Sequence, residues 1–443
     1  MLIAILNILF FCFGIYSILS KKINYFLFTL IYFSTSLFGF FSPYTDYGFR
    51  EINNSDIAIL LLLFGIIVLP KKNNLIRKHR FYGTFQKIIN FFIIYVVGLI
   101  FYDIFFTGNS LSNVLIESRI YLFLLILKLI NRIDLKNTFT LINSIAVIIS
   151  IKSVIYVSQY IFNIEIFDTT EFLLSVDKFS GFSTFSPLAI IFLLNKSKKI
   201  SGLDIFYICF LVLSSLFLGS SGYIIVNFTV LLCWFYFQKR TFKFGFILLS
   251  IIPILIFTLI FTSQTVSNDG ISDDISSDYT EMTSFFYNYS SSNDVTEFYH
   301  GGSFQFRLAM FAERLFYLID NNRLFLGDGF IPDSKLTSQI FILGTHTDNY
   351  SFGIEQYNSA DVLYVNLICR FGLIGSIFFI GIFIYLLKFK KYSKFFILSV
   401  LFFLFMCSLN SNFLYRMSNF VLLFLLIFSE IEYRLINTPK NGN

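Results

Sequence analysis

Charge is what this sequence has least of: only 14% of its 443 residues are Asp, Glu, Lys or Arg. A soluble domain carries about 25%. Such a chain cannot clothe a water-facing surface, and soluble enzymes and nucleic-acid binders are excluded with it. Five cysteines are present, Cys12, Cys209, Cys233, Cys369 and Cys407. All lie in apolar stretches with no CxxC pair among them, which argues against a disulfide framework or a zinc site. There is no HExxH, no glycine-rich nucleotide loop and no GxSxG between a strand and a helix, so no cofactor is expected. The acidic run "DDISSD" at 273 to 278 is serine-rich and reads as a solvated segment, leaving no metal site. Phenylalanine, at 63 residues, has the abundance that AT-rich coding produces, and no function is read into it.

Apolar residues fill the space that charge leaves, at 56% of the chain and a mean hydropathy of +0.74. Runs approaching the roughly 20 residues that span a bilayer recur at about 2–20, 23–41, 56–70, 88–106, 118–131, 138–162 and 182–195. Others follow at about 202–220, 222–237, 244–263, 362–387, 395–411 and 416–432. The expected fold is an all-α polytopic integral membrane protein of about 12–13 transmembrane helices with one large exterior loop late in the chain. Runs 56–70 and 182–195 are short, so packing within the bundle or local bilayer thinning must cover the mismatch. The pair around "LGSSGYI" at 218–224 reads either as two spans or as one broken element.

Orientation follows from the short loops. Lys21 and Lys22, "KKNNLIRKHR" at 71–80, "KSKK" at 196–199, "QKR" at 238–240 and "KFKKYSK" at 388–394 all carry excess positive charge, which belongs on the cytoplasmic side. These loops all fall on one face when the spans alternate, which puts the N-terminus outside and the C-terminus inside. The formal net charge of +6 is therefore a sum of unlike parts and no nucleic-acid signal. Three regions result: an N-terminal bundle over 1–262, an acidic exterior loop over 263–361, and C-terminal spans with a short cytoplasmic tail over 362–443. No cleavable signal peptide is expected, because the first run lacks a small-residue cleavage pattern.

Within the exterior loop, 264–303 is rich in Ser, Asp, Asn and Tyr and shows no sustained period. An amphipathic helix is expected over 304–320. On a helical wheel Leu308, Phe311, Leu315 and Leu318 share one side, Arg307 and Arg314 line its edge, and Glu313 and Asp320 point away. The two guanidinium groups either snorkel to anionic headgroups or grip a pyrophosphate, for which a planar bidentate donor is suited. Charges inside spans are costly unless paired or hydrated. Lys152 and Arg370 each either line a substrate cavity or are paired, and Asp103 with Arg119 reads as an interhelical ion pair.

The helix is followed by "NNRLFLGDGF" at 321–330 and by "SADVLYVNLICRFGLIG" at 359–375, which opens a span. An arginine-bearing amphipathic helix, a glycine turn and a span with this opening resemble the signature of the O-antigen polymerase and O-antigen ligase superfamily. "KFSGFSTFSPLAIIF" at 178–192 is similar to a second motif of that family, with Lys178 where an arginine is common and Gly181 in the motif's glycine position. A third motif departs, since Ser221 stands where many members have arginine.

The resemblance implies a glycosyltransferase of the bacterial cytoplasmic membrane. It would join undecaprenyl-pyrophosphate-linked oligosaccharide repeats on the outer face, without metal, toward O-antigen, capsule or exopolysaccharide. Arg307 and Arg314 would occupy the loop-arginine region, Lys178 the arginine position of the second motif, and Gly327 and Gly329 the turn; Lys152 and Arg370, placed by their charge within spans, are the further candidates for lining the substrate cavity. Asp361 would serve as the base for the acceptor hydroxyl, its competing role being a helix N-cap. His346 is a second candidate base, or merely an exposed loop histidine. Membrane lipids, a flippase and a chain-length regulator of the same pathway are implied partners. Two alternatives stand: an O-antigen ligase, and a lipid-linked oligosaccharide flippase or transporter, which internal repeats would mark.

Overall fold

The computed structural model describes residues 2–35, 54–71, 75–78, 80–107, 109–162, 164, 169–171, 177–179, 183–195, 201–217, 221–238, 296–297, 303–331, 341–342, 344–346, 354–356, 363–410 and 419–437. Helices dominate them. In chain order these are α1 (Leu2–Leu19), α2 (Ile23–Ser34), α3 (Asn54–Val68), α4 (Leu75–Lys78), α5 (Arg80–Phe106), α6 (Leu111–Leu122), α7 (Ile126–Leu129) and α8 (Leu135–Phe162). They continue with α9 (Ser186–Asn195), α10 (Gly202–Phe217), α11 (Ser221–Gln238), α12 (Ser303–Asp320), α13 (Leu363–Tyr385), α14 (Lys394–Asn410) and α15 (Asn419–Asn437). Short strands form three two-stranded pairings: β1 (Thr169–Glu171) with β2 (Asp177–Phe179) and β5 (Gly344–His346) with β6 (Ile354–Gln356), both antiparallel, and β3 (Thr296–Glu297) parallel to β4 (Phe341–Ile342).

Among the described residues, three helices are long and apolar enough to cross a membrane: Arg80–Phe106, Thr138–Phe162 and Leu363–Phe389. At 27 residues, α5 is about 40 Å long, the thickness of a bilayer with its headgroups. Only 22% of its most apolar window is buried within the chain. Phe91, Ile94, Phe101, Phe105 and Phe106 instead face outward, an apolar surface that water would not tolerate at this extent.

Two expected spans take other forms. The run at 182–195 yields α9, ten residues and about 15 Å long, half of a hydrocarbon core. Every residue from Ser186 to Leu194 is buried, so α9 is a core helix wrapped by its neighbours. The run at 118–131 passes through α6, a 3-10 turn at Phe123–Leu125, α7 and a second 3-10 turn at Ile130–Arg132. The "LGSSGYI" stretch separates α10, ending at Phe217, from α11, beginning at Ser221. The run at 244–263 lies outside the described residues.

Helix α15 is buried on all sides from Phe420 to Ile431 and forms the axis of the bundle, packing on α8, α4 and α2. Polar contacts gather toward its C-terminal end. Where the basic loops lie, Ile76 N donates to Glu432 Oε2 at 2.8 Å, Arg434 Nε donates to Glu430 Oε1 at 2.7 Å, and Arg434 Nη2 donates to Asn195 Oδ1 at 2.8 Å. Near the opposite ends of the helices, Arg119 of α6 pairs with Asp56 of α3 at 3.2 Å. The expected Asp103–Arg119 pair is therefore not formed. Asp56, in the first turn of α3, is the carboxylate within reach of Arg119, and Asp103 is engaged elsewhere.

Helix α1 turns into α2 through Lys21, at φ 58°, with Lys22 N donating to Ser17 O and Lys21 N to Ile18 O. This is a Schellman cap. The same cap closes α12, with Asn322 at φ 55°, Arg323 N donating to Leu318 O at 2.7 Å and Asn322 N to Ile319 O at 3.0 Å. Asparagine tolerates that left-handed conformation better than most residues.

Candidate functional site

The amphipathic helix expected over 304–320 is α12, and it packs against α13. Its buried face differs from the wheel. Met310, Glu313, Arg314 and Leu318 are at most 1% exposed, whereas Phe311 and Leu315 are half-buried and Asp320 is exposed. Glu313 thus turns inward, contrary to expectation. The inner face is therefore not the most apolar one, and it includes Arg314. Phe311 meets the ring of Tyr364 edge-on at 5.6 Å.

Beyond the Schellman cap the chain makes the glycine turn, and this turn is docked into a break in α13. Gly372 has φ 60° and ψ −168°, which interrupts the helix. Carbonyls of Cys369 and Arg370 thereby lose their normal partners, the amides of Leu373 and Ile374. The turn gives each of the four orphaned groups a new partner. Asp328 N donates to Cys369 O at 2.8 Å and Gly329 N to Arg370 O at 3.1 Å. Leu373 N donates to Leu324 O at 2.9 Å and Ile374 N to Phe325 O at 3.2 Å. Buried backbone groups left unpaired are expensive, so the break and the turn each require the other.

Only glycine fits the contact. Gly327 and Gly329 have φ of +75° and +71°, and a Cβ on Gly329 would lie 2.4 Å from Asp103 Oδ2. Tyr95 of α5 directs its hydroxyl at the carbonyls of Leu326, at 2.9 Å, and Phe371, at 3.1 Å. Beneath the turn, Phe371 is ringed edge-on by Tyr121 at 4.6 Å, Phe92 at 5.3 Å and Phe330 at 5.8 Å.

Charged side chains clamp both flanks. Arg370, 1% exposed, donates to the carbonyls of Ile331 and Gly329, and its Nη2 meets Glu117 Oε2 at 3.1 Å. Asp103 is fully buried, and its Oδ2 accepts from Phe330 N at 2.6 Å. On the outer side, Tyr317 donates to Asp328 Oδ2 at 2.6 Å, and Arg323 Nη2 donates to Tyr102 Oη at 3.1 Å. Burial, with the bond to Asp328 second, pushes the Tyr317 phenol above its ordinary range, so it remains a donor. The Tyr102 hydrogen bond raises the Arg323 guanidinium further still, keeping it charged.

Of the residues selected from sequence, Arg370, Gly327 and Gly329 come together here, and Arg314 is buried on α12, the helix that packs against α13. Lys152 lies apart, buried in α8. Arg307 lies on α12, Lys178 in β2 and His346 in β5, with their side chains outside the described residues. Asp361 and Gly181 are themselves outside the described residues. Sequence reasoning missed Glu117, Tyr95 and Tyr317, which carry no local signal, and gave Asp103 the wrong partner. Among the described residues no group of three or more His, Cys, Asp and Glu is arranged to hold a metal. No protein-family model matches the chain, and no curated protein matches it.

Proposed function

We propose that this chain is a multi-pass glycosyltransferase of the bacterial cytoplasmic membrane that polymerises oligosaccharide repeats carried on undecaprenyl pyrophosphate. In this reading it has 12–13 spans and its 263–361 loop on the outer face. The supporting observation is the burial of Arg314, 1% exposed, on a helix that packs against the next span. A headgroup anchor reaches outward to the membrane surface. Arg314 instead turns into the protein, as a residue serving an enclosed anion does. The arginine helix and the glycine-bearing span of the resembled signature also belong to one packed unit.

The chemistry asked of the site is modest. An acceptor hydroxyl attacks the anomeric carbon of the donor, the bond to pyrophosphate breaks, and the lipid pyrophosphate leaves with the electron pair. Arg307 and Arg314 stabilise that developing charge. Asp361 or His346 takes the acceptor's proton, which requires hydrogen-bond reach. Arg370, tied to Glu117 and to the turn's carbonyls, acts in this reading as a brace for the pocket.

The test incubates purified protein in nanodiscs with lipid-linked repeat units in the presence of EDTA. A ladder of lengthening products is expected. Transfer only when a separate lipid A core is supplied would make the protein a ligase. Lipid-linked substrate crossing the bilayer with no new glycosidic bond would make it a flippase.

A further inference from the structure

We infer that Asp103 is a positioning residue for the proposed transfer: it locks the glycine turn, and through the turn it sets where Arg314 stands. The inference rests on the reading of Arg314 as a pyrophosphate-gripping side chain.

Asp103 lies near the C-terminal end of α5. Its Oδ2 accepts from the Phe330 amide at 2.6 Å, a short bond. Its Oδ1 is buried and has no hydrogen-bond partner among the described residues. That oxygen is pressed against Gly329, where a Cβ would stand 2.5 Å away. A fully buried carboxylate with one oxygen unanswered is costly.

The links onward are stiff. From Phe330 the turn is bonded to α13 by four backbone hydrogen bonds around Gly372. From Leu324 the chain runs directly into the Schellman cap of α12, where Arg323 N meets Leu318 O at 2.7 Å. Gly327 N also donates to Arg323 O at 2.7 Å, tying cap and turn together. Arg314 lies within the last two turns of α12. No flexible segment separates Asp103 from Arg314, so release of the turn tilts the end of α12. A misplacement of about 1 Å at a reacting centre costs roughly 100-fold in rate.

The experiment compares Asp103→Ala, Asp103→Asn, Arg314→Ala and the double variant Asp103→Ala/Arg314→Ala, each purified in nanodiscs at matched amounts. Hydrogen–deuterium exchange over 324–331 reads the turn without reference to activity. Asp103→Ala is expected to lose protection there and to slow polymer formation by about 10- to 100-fold. Asp103→Asn keeps an acceptor for the Phe330 amide and is expected to retain both protection and activity within about three-fold, the asparagine carbonyl being a weaker acceptor than a carboxylate. In the Arg314→Ala background Asp103→Ala is expected to add less than about two-fold, because both changes remove the same interaction. Multiplying losses in the double variant, or a protected turn in Asp103→Ala, would overturn the inference. Where Asp103→Ala fails to fold, Gly329→Ala drives a methyl group onto the same carboxylate and serves in its place. A wild-type protein that makes no product defeats the functional reading and the catalytic part of this inference, whereas the exchange data separately decide whether Asp103 holds the turn.

Discussion

Gly327 and Gly372 stand back to back: a Cβ placed on either would come within 2.5 Å of the other's backbone nitrogen. One lies in the glycine turn after α12 and the other in the break of α13, and each has a positive φ, +75° and +60°. Alanine at either position is expected to cost at least the roughly 1–3 kcal/mol of a residue held in that conformation, with the clash added. Gly98 and Gly381, helical and with nothing within 4 Å of a built Cβ, provide the contrast. There alanine is expected to be neutral or to stabilise by about 0.5–1 kcal/mol. Apparent Tm by fluorescence-detected size exclusion measures both, and equal effects at the two kinds of site would show that the turn is not docked.

Replacing Arg314 separates anion gripping from lipid anchoring. Arg314→Ala is expected to remove about 2–4 kcal/mol of transition-state stabilisation, roughly 30- to 1000-fold in rate. Arg314→Lys is expected to rescue only in part, because lysine lacks the planar fork that holds two phosphate oxygens. Polymer formation in membranes, normalised by immunoblot, gives the comparison. Lysine performing as well as arginine would favour a point-charge role at headgroups.

The Tyr317–Asp328 bond carries a pH signature. Its phenol is held above the ordinary tyrosine value, so the folded state favours the protonated form. The stabilisation is then fully present below the unfolded value, about 10, and is lost as pH rises through the higher folded value. The difference in apparent Tm between wild type and Tyr317→Phe is expected to stay constant from about pH 6 to 9 and to shrink only above about 10. A difference that vanishes near neutrality would mean that Tyr317 is not the donor.

Side-specific labelling tests the orientation. In a cysteine-free background, Asn321→Cys, exposed at the end of α12, is expected to react with an impermeant thiol reagent on intact spheroplasts. Lys390→Cys, exposed beyond α13, is expected to react only after lysis. The reverse pattern would invert every assignment of inside and outside.

Much of the secondary structure was legible before any coordinates. The runs at 2–20 and 138–162 correspond to α1 and α8, and the amphipathic stretch at 304–320 to α12 within a residue. The glycine turn was legible too, since "LGDG" permits few other conformations. Less was legible of how faces are chosen. Glu313 is polar and on the wheel points away, yet it is buried, which periodicity does not reveal. Arg119 was paired with Asp103 because both were expected near exterior helix ends, and it found Asp56 because α3 packs against α6 there.

By itself the sequence determined what depends on neighbours along the chain: which stretches are apolar enough for helix in lipid, where positive charge collects between them, and where the backbone must turn. These follow from hydrophobic transfer and local steric limits, which act over a few residues. Tertiary structure alone decided that the turn at Gly327 repairs the helix break at Gly372, that Asp103 holds the Phe330 amide, and that Arg370 braces against Glu117. Those pairings join segments far apart in the chain, and any buried amide, carbonyl or carboxylate has many chemically equivalent partners in sequence. Packing leaves only one of them within about 3 Å, the reach of a hydrogen bond.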